Sequence, residues 1–195
     1  MNKVVNDKFY TTLIGVNEWL FIDSLAESIL KKINTNIISL KEFVDNRIYY
    51  GIKTGFNEAF VLKNSDANKL LKSESKPIIK KYAKSTDIKK WYLLDYSKYF
   101  LATGFDVGIK TKYPTAFSFL KQFEKQLKAR QDQGHSWVNL RACTYYEEFA
   151  KPKIIYMHTA KKHEFYFDFE GRYINNSCYM IVSDSRYLFS FLNSK

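Results

Sequence analysis

Residues 47–62, RIYYGIKTGFNEAFVL, are the segment around which the rest of the chain is organised. Ile48, Tyr49 and Tyr50 form an apolar, β-prone run that breaks at GIKTG (51–55). A second such run resumes at EAFVL (58–62). A Thr-Gly step between two runs of this kind reads as a turn, because glycine takes positive φ without steric cost. Lys53, Thr54 and Asn57 then stand on a tight, well-held corner. That corner is either a plain hairpin turn or a place where polar groups meet something acidic.

Working outward, the chain downstream is polar at 63–68 and predicts a short helix through Lys69, Leu70 and Leu71. The most basic run follows at 76–91, KPIIKKYAKSTDIKKW, with six lysines and one carboxylate, Asp87. Its apolar anchors are Ile78, Ile79, Tyr82 and Ile88. It reads as a solvated amphipathic face or as a phosphate-contacting surface; Asp87 orients the lysines or closes a turn. Residues 91–101 predict a strand pair joined around 95–98. Pro114 at a first helical turn opens the clearest helix, with Phe117, Leu120, Phe123 and Leu127 on one face. Residues 136–141 read as a strand, as do those after Pro152. The aromatic runs 165–169 and 173–182 flank Glu170-Gly171, a hairpin signal. Ser183 or Asp184 caps a last helix over 186–192. Upstream, 9–15 and 19–22 predict strands. A helix starts at Asp23 or Ser24, carries Leu25, Ile29, Leu30 and Ile33, and ends at Asn34 to Asn36. With no repeat and no low-complexity linker, residues 1–195 read as one unit.

Composition narrows the function. The 195 residues are 46% apolar and 17% aromatic, enough for a real core. Against 20 Asp and Glu stand 31 Lys and Arg, a net charge of +11. Such a domain attracts polyanions, nucleic acid first and anionic membrane second; the alternative is a lysine-rich proteome that makes every surface basic. Cys143 and Cys178 are far apart and outside any CxxC, so they read as reduced thiols of a cytoplasmic protein. No secretory leader opens the chain and no apolar run approaches 18 residues, so a secreted or membrane-spanning protein is not expected.

The catalytic vocabulary is thin. None of the glycines forms GxG, no P-loop occurs, and with prolines only at 77, 114 and 152 there is no Asn-Pro-Pro-Tyr step. His158 and His163 sit in a lysine-rich loop that disfavours a cation, so no metal site is expected. Glu147 and Glu148 are the only candidates for acid–base or metal-dependent nuclease chemistry. Side by side on a strand they point to opposite faces, and on a helix they stand about 100° apart.

Several blocks in order make a pattern. GIKTGFNEAF (51–60), IIKKYAKSTDIKKW (78–91), WVNLR (137–141), YEEFAKPKIIY (146–156), GRYINNSCY (171–179) and LNSK (192–195) resemble TaqI-like specificity domains. These are the target-recognition domains of adenine-specific DNA methyltransferases and Type II restriction–modification enzymes. The resemblance runs from about Trp19 to the end. It departs at Lys81, where members usually carry Pro, and at Ser85, where they carry Gly. It implies an α+β fold, a single irregular strand-rich lobe with several helices, and readout of double-stranded DNA without catalysis. The chain is then expected to be part of a larger enzyme. A methyltransferase domain, in the same parent chain or a separate subunit, would hold S-adenosylmethionine and any Mg2+; this chain would hold no cofactor. Phosphate contacts are expected from Lys80, Lys84, Lys89, Lys90 and Lys153. Base-edge readout is expected from Asn57, Arg130, Gln133, Arg141 and Asn175, with Lys53 and Thr54 holding one edge of the groove. Structural alternatives stand beside these: Asn175 and Asn176 as turn-closing residues, Arg141 as an ion-pair partner of Glu147 or Glu148. The rival functions are a small metal-dependent nuclease and a stand-alone basic module that binds an acidic protein.

Overall fold

The computed structural model describes residues 10–13, 19–22, 24–33, 35 and 37–194. By compactness the chain falls into two units, Met1–Phe43 and Val44–Lys195.

The first unit pairs β1 (Tyr10–Leu13) with β2 (Trp19–Ile22) antiparallel, Tyr10 opposite Ile22 and Leu13 opposite Trp19. Helix α1 (Ser24–Ile33) follows, with Lys31 and Lys32 in the last turn, where the helix dipole favours cations. Its apolar stripe, Leu25, Ile29 and Ile33, is exposed. A short α2 (Leu40–Phe43) opens with a reciprocal cap. The Ser39 amide donates to Glu42 Oε2 (2.8 Å) and the Glu42 amide to Ser39 Oγ (3.2 Å). Phe9, Gly15, Asp23, Asn34 and Asn36, where the sequence places strand ends and helix boundaries, lie outside the described residues.

In the second unit the chain runs through β3 (Ile48–Tyr50), α3 (Asn57–Phe60), β4 (Val61–Leu62), α4 (Asn64–Leu71), β5 (Ile79–Ala83) and β6 (Tyr99–Leu101). Three helices come next: α5 (Ile109–Lys112), α6 (Pro114–Lys121) and α7 (Glu124–Ala129). The last elements are β7 (Lys153–Met157), β8 (Phe165–Asp168), β9 (Tyr173–Ile174), β10 (Cys178–Val182) and α8 (Arg186–Leu192). Two four-stranded sheets result. One has the order β3-β10-β7-β8, antiparallel throughout; the other has the order β4-β6-β5-β9, with β5 and β9 parallel. This is the α+β, strand-rich architecture.

Strand alternation explains the packing. In β7, Ile155 faces the main core and Ile154 a smaller cluster with Ile181, Phe167 and Leu188 of α8, because successive side chains point to opposite faces. The main core contains a column of rings. Tyr82, Phe100, Tyr173 and Phe149 stack with centroids 5.7, 5.6 and 4.7 Å apart. Burial raises the Tyr82 hydroxyl far above the usual phenol range and pushes that of Tyr173 up to about 12.

The structure corrects several local expectations. The corner at 51–57 is no hairpin: β3 and β4 belong to different sheets, and 57–60 is helical. The aromatic runs 165–182 do not pair with each other either. The chain leaves β8 in one sheet, turns at Gly171 (φ 67°), adds β9 to the other sheet, and returns as β10. That crossover is locked by a buried charge cluster. Lys153 Nζ donates to Asp168 Oδ2 (2.6 Å) and to Phe149 O (2.6 Å), and the Arg172 amide donates to Asp168 Oδ2 (2.8 Å). The clearest helix of the sequence is two, broken at Gln122-Phe123. Helix α4 takes in residues 64–68 that read as loop, and 136–141 holds one bridge, Gln133 to Leu140, instead of a strand. Only β6 forms from the strand pair expected at 91–101; the rest is bridge and turn, with Ile88 opposite Leu93 and Lys98 Nζ 2.5 Å from Asp87 Oδ2. Ser185 caps α8 through its Oγ (3.1 Å from the Leu188 amide), in place of Ser183 or Asp184.

Candidate nucleic-acid interface

The corner at 51–57 is held from behind by the turn at 174–178. The Gly51 amide donates to Cys178 O (3.0 Å), that of Ile52 to Ile174 O (2.7 Å) and that of Asn176 to Ile52 O (3.2 Å). A Cβ on Gly51 would lie 2.0 Å from Asn175 O, so only glycine allows this approach. Gly55 is needed for its φ of +69°. Between them Thr54 is buried, its hydroxyl donating to Asn57 Oδ1 (2.7 Å) and accepting from the Phe56 amide (3.2 Å).

The front of this corner opens into a groove of about 610 Å3, with Lys53, Arg141, Thr144, Tyr145, His158 and Asn176 among its walls. Tyr145 stacks on Tyr49 (4.7 Å), and burial pushes its hydroxyl up to about 12. On the face of the β3-β10-β7-β8 sheet that carries Ile154 and Ile181, Tyr156 stacks on Tyr179 (5.4 Å), and the His158 ring packs on Tyr179 (5.1 Å). One half-buried carboxylate, Asp132, holds two cations of the groove: Oδ2 is 3.1 Å from Lys53 Nζ and Oδ1 is 3.4 Å from Arg141 Nη1. Arg141 therefore pairs with Asp132, not with Glu147 or Glu148.

The other site residues read from sequence scatter. Asn57 is exposed and lines a second concavity with Lys53, Thr54 and Asn176. Lys84 is exposed and, among the described residues, makes no ion pair; its neighbour Ser85 lines a third concavity with His158 and Asn176. Lys80 lines a separate concavity with Glu170 and Gly171. Lys89 faces Glu164 (3.6 Å), and Lys90 lies over the Trp91 ring (5.9 Å), beside the positive φ of Trp91 (80°).

Burial corrects two of the expected contacts, and three further residues serve local turns. Lys153 is 0% exposed; burial pulls its ammonium below the usual lysine range, and it cannot reach a phosphate. Arg130 is also buried. Its guanidinium lies 4.7 Å over the Phe60 ring and donates to the carbonyls of Thr54 (2.5 Å), Trp137 (3.0 Å) and Asn139. Desolvation brings its pKa down to about 10, against the opposing pull of Asp132. Gln133 Nε2 caps the end of α7, donating to Lys128 O (2.9 Å) and Arg130 O (2.6 Å). Thr54 holds the turn on which Lys53 stands. Asn175 closes its own turn, with Nδ2 3.4 Å from Ser177 Oγ and Oδ1 accepting from Cys178 Sγ (3.8 Å).

Asn176 and His158 line the groove and Asp132 pairs with its cations, and none of the three was expected from sequence to meet DNA. The Asn-Asn step at 175–176 was the available signal, since one amide of such a pair closes a turn and leaves the other outside. Glu148, the candidate nuclease carboxylate, is clamped by Arg47 (3.3 Å) and Lys151 (2.5 Å), which hold its carboxyl below the usual range, Lys151 most strongly.

Residues 80–195 match the TaqI-like C-terminal specificity domain family. That is more than half of the chain, and the chain belongs to this family. The corner at 51–57 lies ahead of the matched stretch. The Type II methyltransferase M.MjaIV of Methanocaldococcus jannaschii is 27% identical over 147 residues, covering 71% of this chain and 48% of that protein. The chain thus spans about half the length of this curated relative. In three dimensions it is similar to the Type IIL restriction-modification enzyme MmeI, solved in complex with DNA, with a TM-score of 0.56 at 13% identity over 75% of this chain and 20% of that one. At that identity the likeness is one of fold. Among the described residues no helix is long and apolar enough to cross a membrane.

Proposed function

We propose that this chain is the target-reading module of an adenine-specific restriction–modification methyltransferase. It binds double-stranded DNA with sequence preference and performs no chemistry itself. Methyl transfer from S-adenosylmethionine, and any Mg2+-dependent cleavage, belong to a methyltransferase part in the same parent chain or in a separate subunit. The observation that carries this reading is membership of the specificity-domain family across residues 80–195. The M.MjaIV relative is a methyltransferase of which this chain spans 48%, leaving room for a catalytic part. The net charge of +11 and an open groove with Lys53 and Arg141 on its wall agree with a polyanionic ligand.

Fluorescence anisotropy of the chain with a labelled duplex, at about 50 and about 200 mM salt, tests it. Three phosphate contacts predict an affinity loss on the order of 40-fold between the two conditions, because each releases condensed counterions. A flat salt response, or no duplex binding at low salt, refutes the reading.

A further inference from the structure

Three concavities of the second unit meet at one side chain. Asn176 lines the 610 Å3 groove with Lys53, Arg141 and His158. It also lines the 390 Å3 concavity with Asn57 and the 370 Å3 one with Ser85 and Ser177. Its backbone is fixed by the Ile52 carbonyl and by the two amides that Gly51 and Ile52 give to the same turn. Its side chain is exposed, and among the described residues the amide makes no hydrogen bond. Asn175 closes the turn, so Asn176 is held in place with its whole amide available.

On the same groove stands Arg141. Asp132 takes only one of its nitrogens, Nη1, which orients the guanidinium. Nη2 and Nε make no hydrogen bond among the described residues. A planar amide on a held turn and a planar fork, on the walls of one groove with a lysine, match the edges of DNA. An Asn amide pairs bidentately with adenine N6 and N7, an arginine with guanine O6 and N7. An ammonium such as Lys53 suits a phosphate as a point charge.

Resting on the DNA-reading function proposed above, we infer that this groove is the base-reading site. Asn176 reads an adenine of the target and Arg141 a guanine. Asp132 is a positioning residue that aims Arg141. The lysines of 80–90 add affinity without sequence information.

The test is selection of a duplex library with randomised positions by the full 195-residue chain, sequenced and followed by anisotropy on the selected duplex. The wild type is expected to select a motif containing both an A·T and a G·C position. Asn176→Ala and the near-isosteric Asn176→Asp should each lose about tenfold or more of the preference at one A·T position and keep the rest. Arg141→Lys, which keeps the charge, should do the same at one G·C position. Asp132→Asn should relax that same G·C position, leave the A·T position alone and leave the melting temperature unchanged. If the variants retain the wild-type motif with undiminished preference at every position, the groove assignment falls while the DNA-reading function stands. If the wild-type chain binds no duplex, or binds without selecting a motif, both fall.

Discussion

The corner at 51–57 and the lysine run at 76–91 teach opposite lessons about charge. The run is the most basic stretch of the sequence, yet three of its six lysines are already engaged. Lys81 pairs with Glu170, Lys89 with Glu164, and Lys90 lies over Trp91. Lys80 and Lys81 are successive residues of β5 and so point to opposite faces. The corner has one lysine, but it stands with Arg141 and Asn176 around an open groove, on a backbone that two glycines hold in place. Density of charge in sequence therefore marks overall attraction to polyanions. Availability of planar polar groups on a rigid frame marks the place where a ligand can be told apart from its neighbours.

The sharpest way to break this contrast is Gly51→Ala. The new Cβ would meet the backbone of Asn175 at 2.0 Å and Ile174 O at 2.7 Å, with no flexible side chain to give way. A loss of about 3 kcal/mol or more in urea denaturation is expected, together with loss of DNA selection as the Asn176 turn shifts. A stability within about 1 kcal/mol of wild type would mean that the corner is not the rigid frame described. A smaller effect separates unpaired from paired lysines. Lys84→Ala should lower the salt slope of duplex binding by about 0.9, the share of one phosphate no longer neutralised. Lys89→Ala and Lys53→Ala should each change it less, because those ammoniums already face Glu164 and Asp132. An equal change from all three would show that pairing within the protein does not matter to binding.

The smallest effect concerns acid. Lys81 holds the Glu170 carboxyl below its ordinary value of 4.5, with Arg172 adding to the pull. The Ser97 hydroxyl and amide, with help from Lys98, hold Asp95 at about 2. Carboxyls depressed in the folded state bind fewer protons than in the unfolded chain, so they stabilise at neutral pH and that contribution is lost as pH falls through the folded values. The melting temperature should stay level to about pH 5 and then decline towards about pH 2, each exposed pair accounting for at most about 1 kcal/mol. Glu170→Gln should flatten part of that decline. An unchanged acid limb in this variant would mean that Lys81 is not an occupied lysine.

Much of the fold was legible in local chemistry. The near-helical spacing of Leu25, Ile29 and Ile33 marks α1, the apolar run after Pro152 marks β7, and Pro114 marks the start of α6. Gly51 and Gly55 announce that the backbone between them does something only glycine permits. Strand pairing was less legible. The 165–182 hairpin signal was a sound local reading, and it failed because β9 found a partner in β5, some ninety residues earlier.

The sequence alone carries the net positive charge, the class of architecture, the ordered blocks of the specificity-domain family and the two glycines on which the corner depends. Those features follow from residue type and short spacing, which a linear chain states directly. Only the tertiary structure decided which cations remain available. Lys153 is buried by Asp168 fifteen residues away, Lys81 meets Glu170 across 89 residues, and Asp132 gathers Lys53 and Arg141 from separate segments. The free energy of a charge depends on its partner and its exposure, and both are set by folding, not by neighbours in the chain.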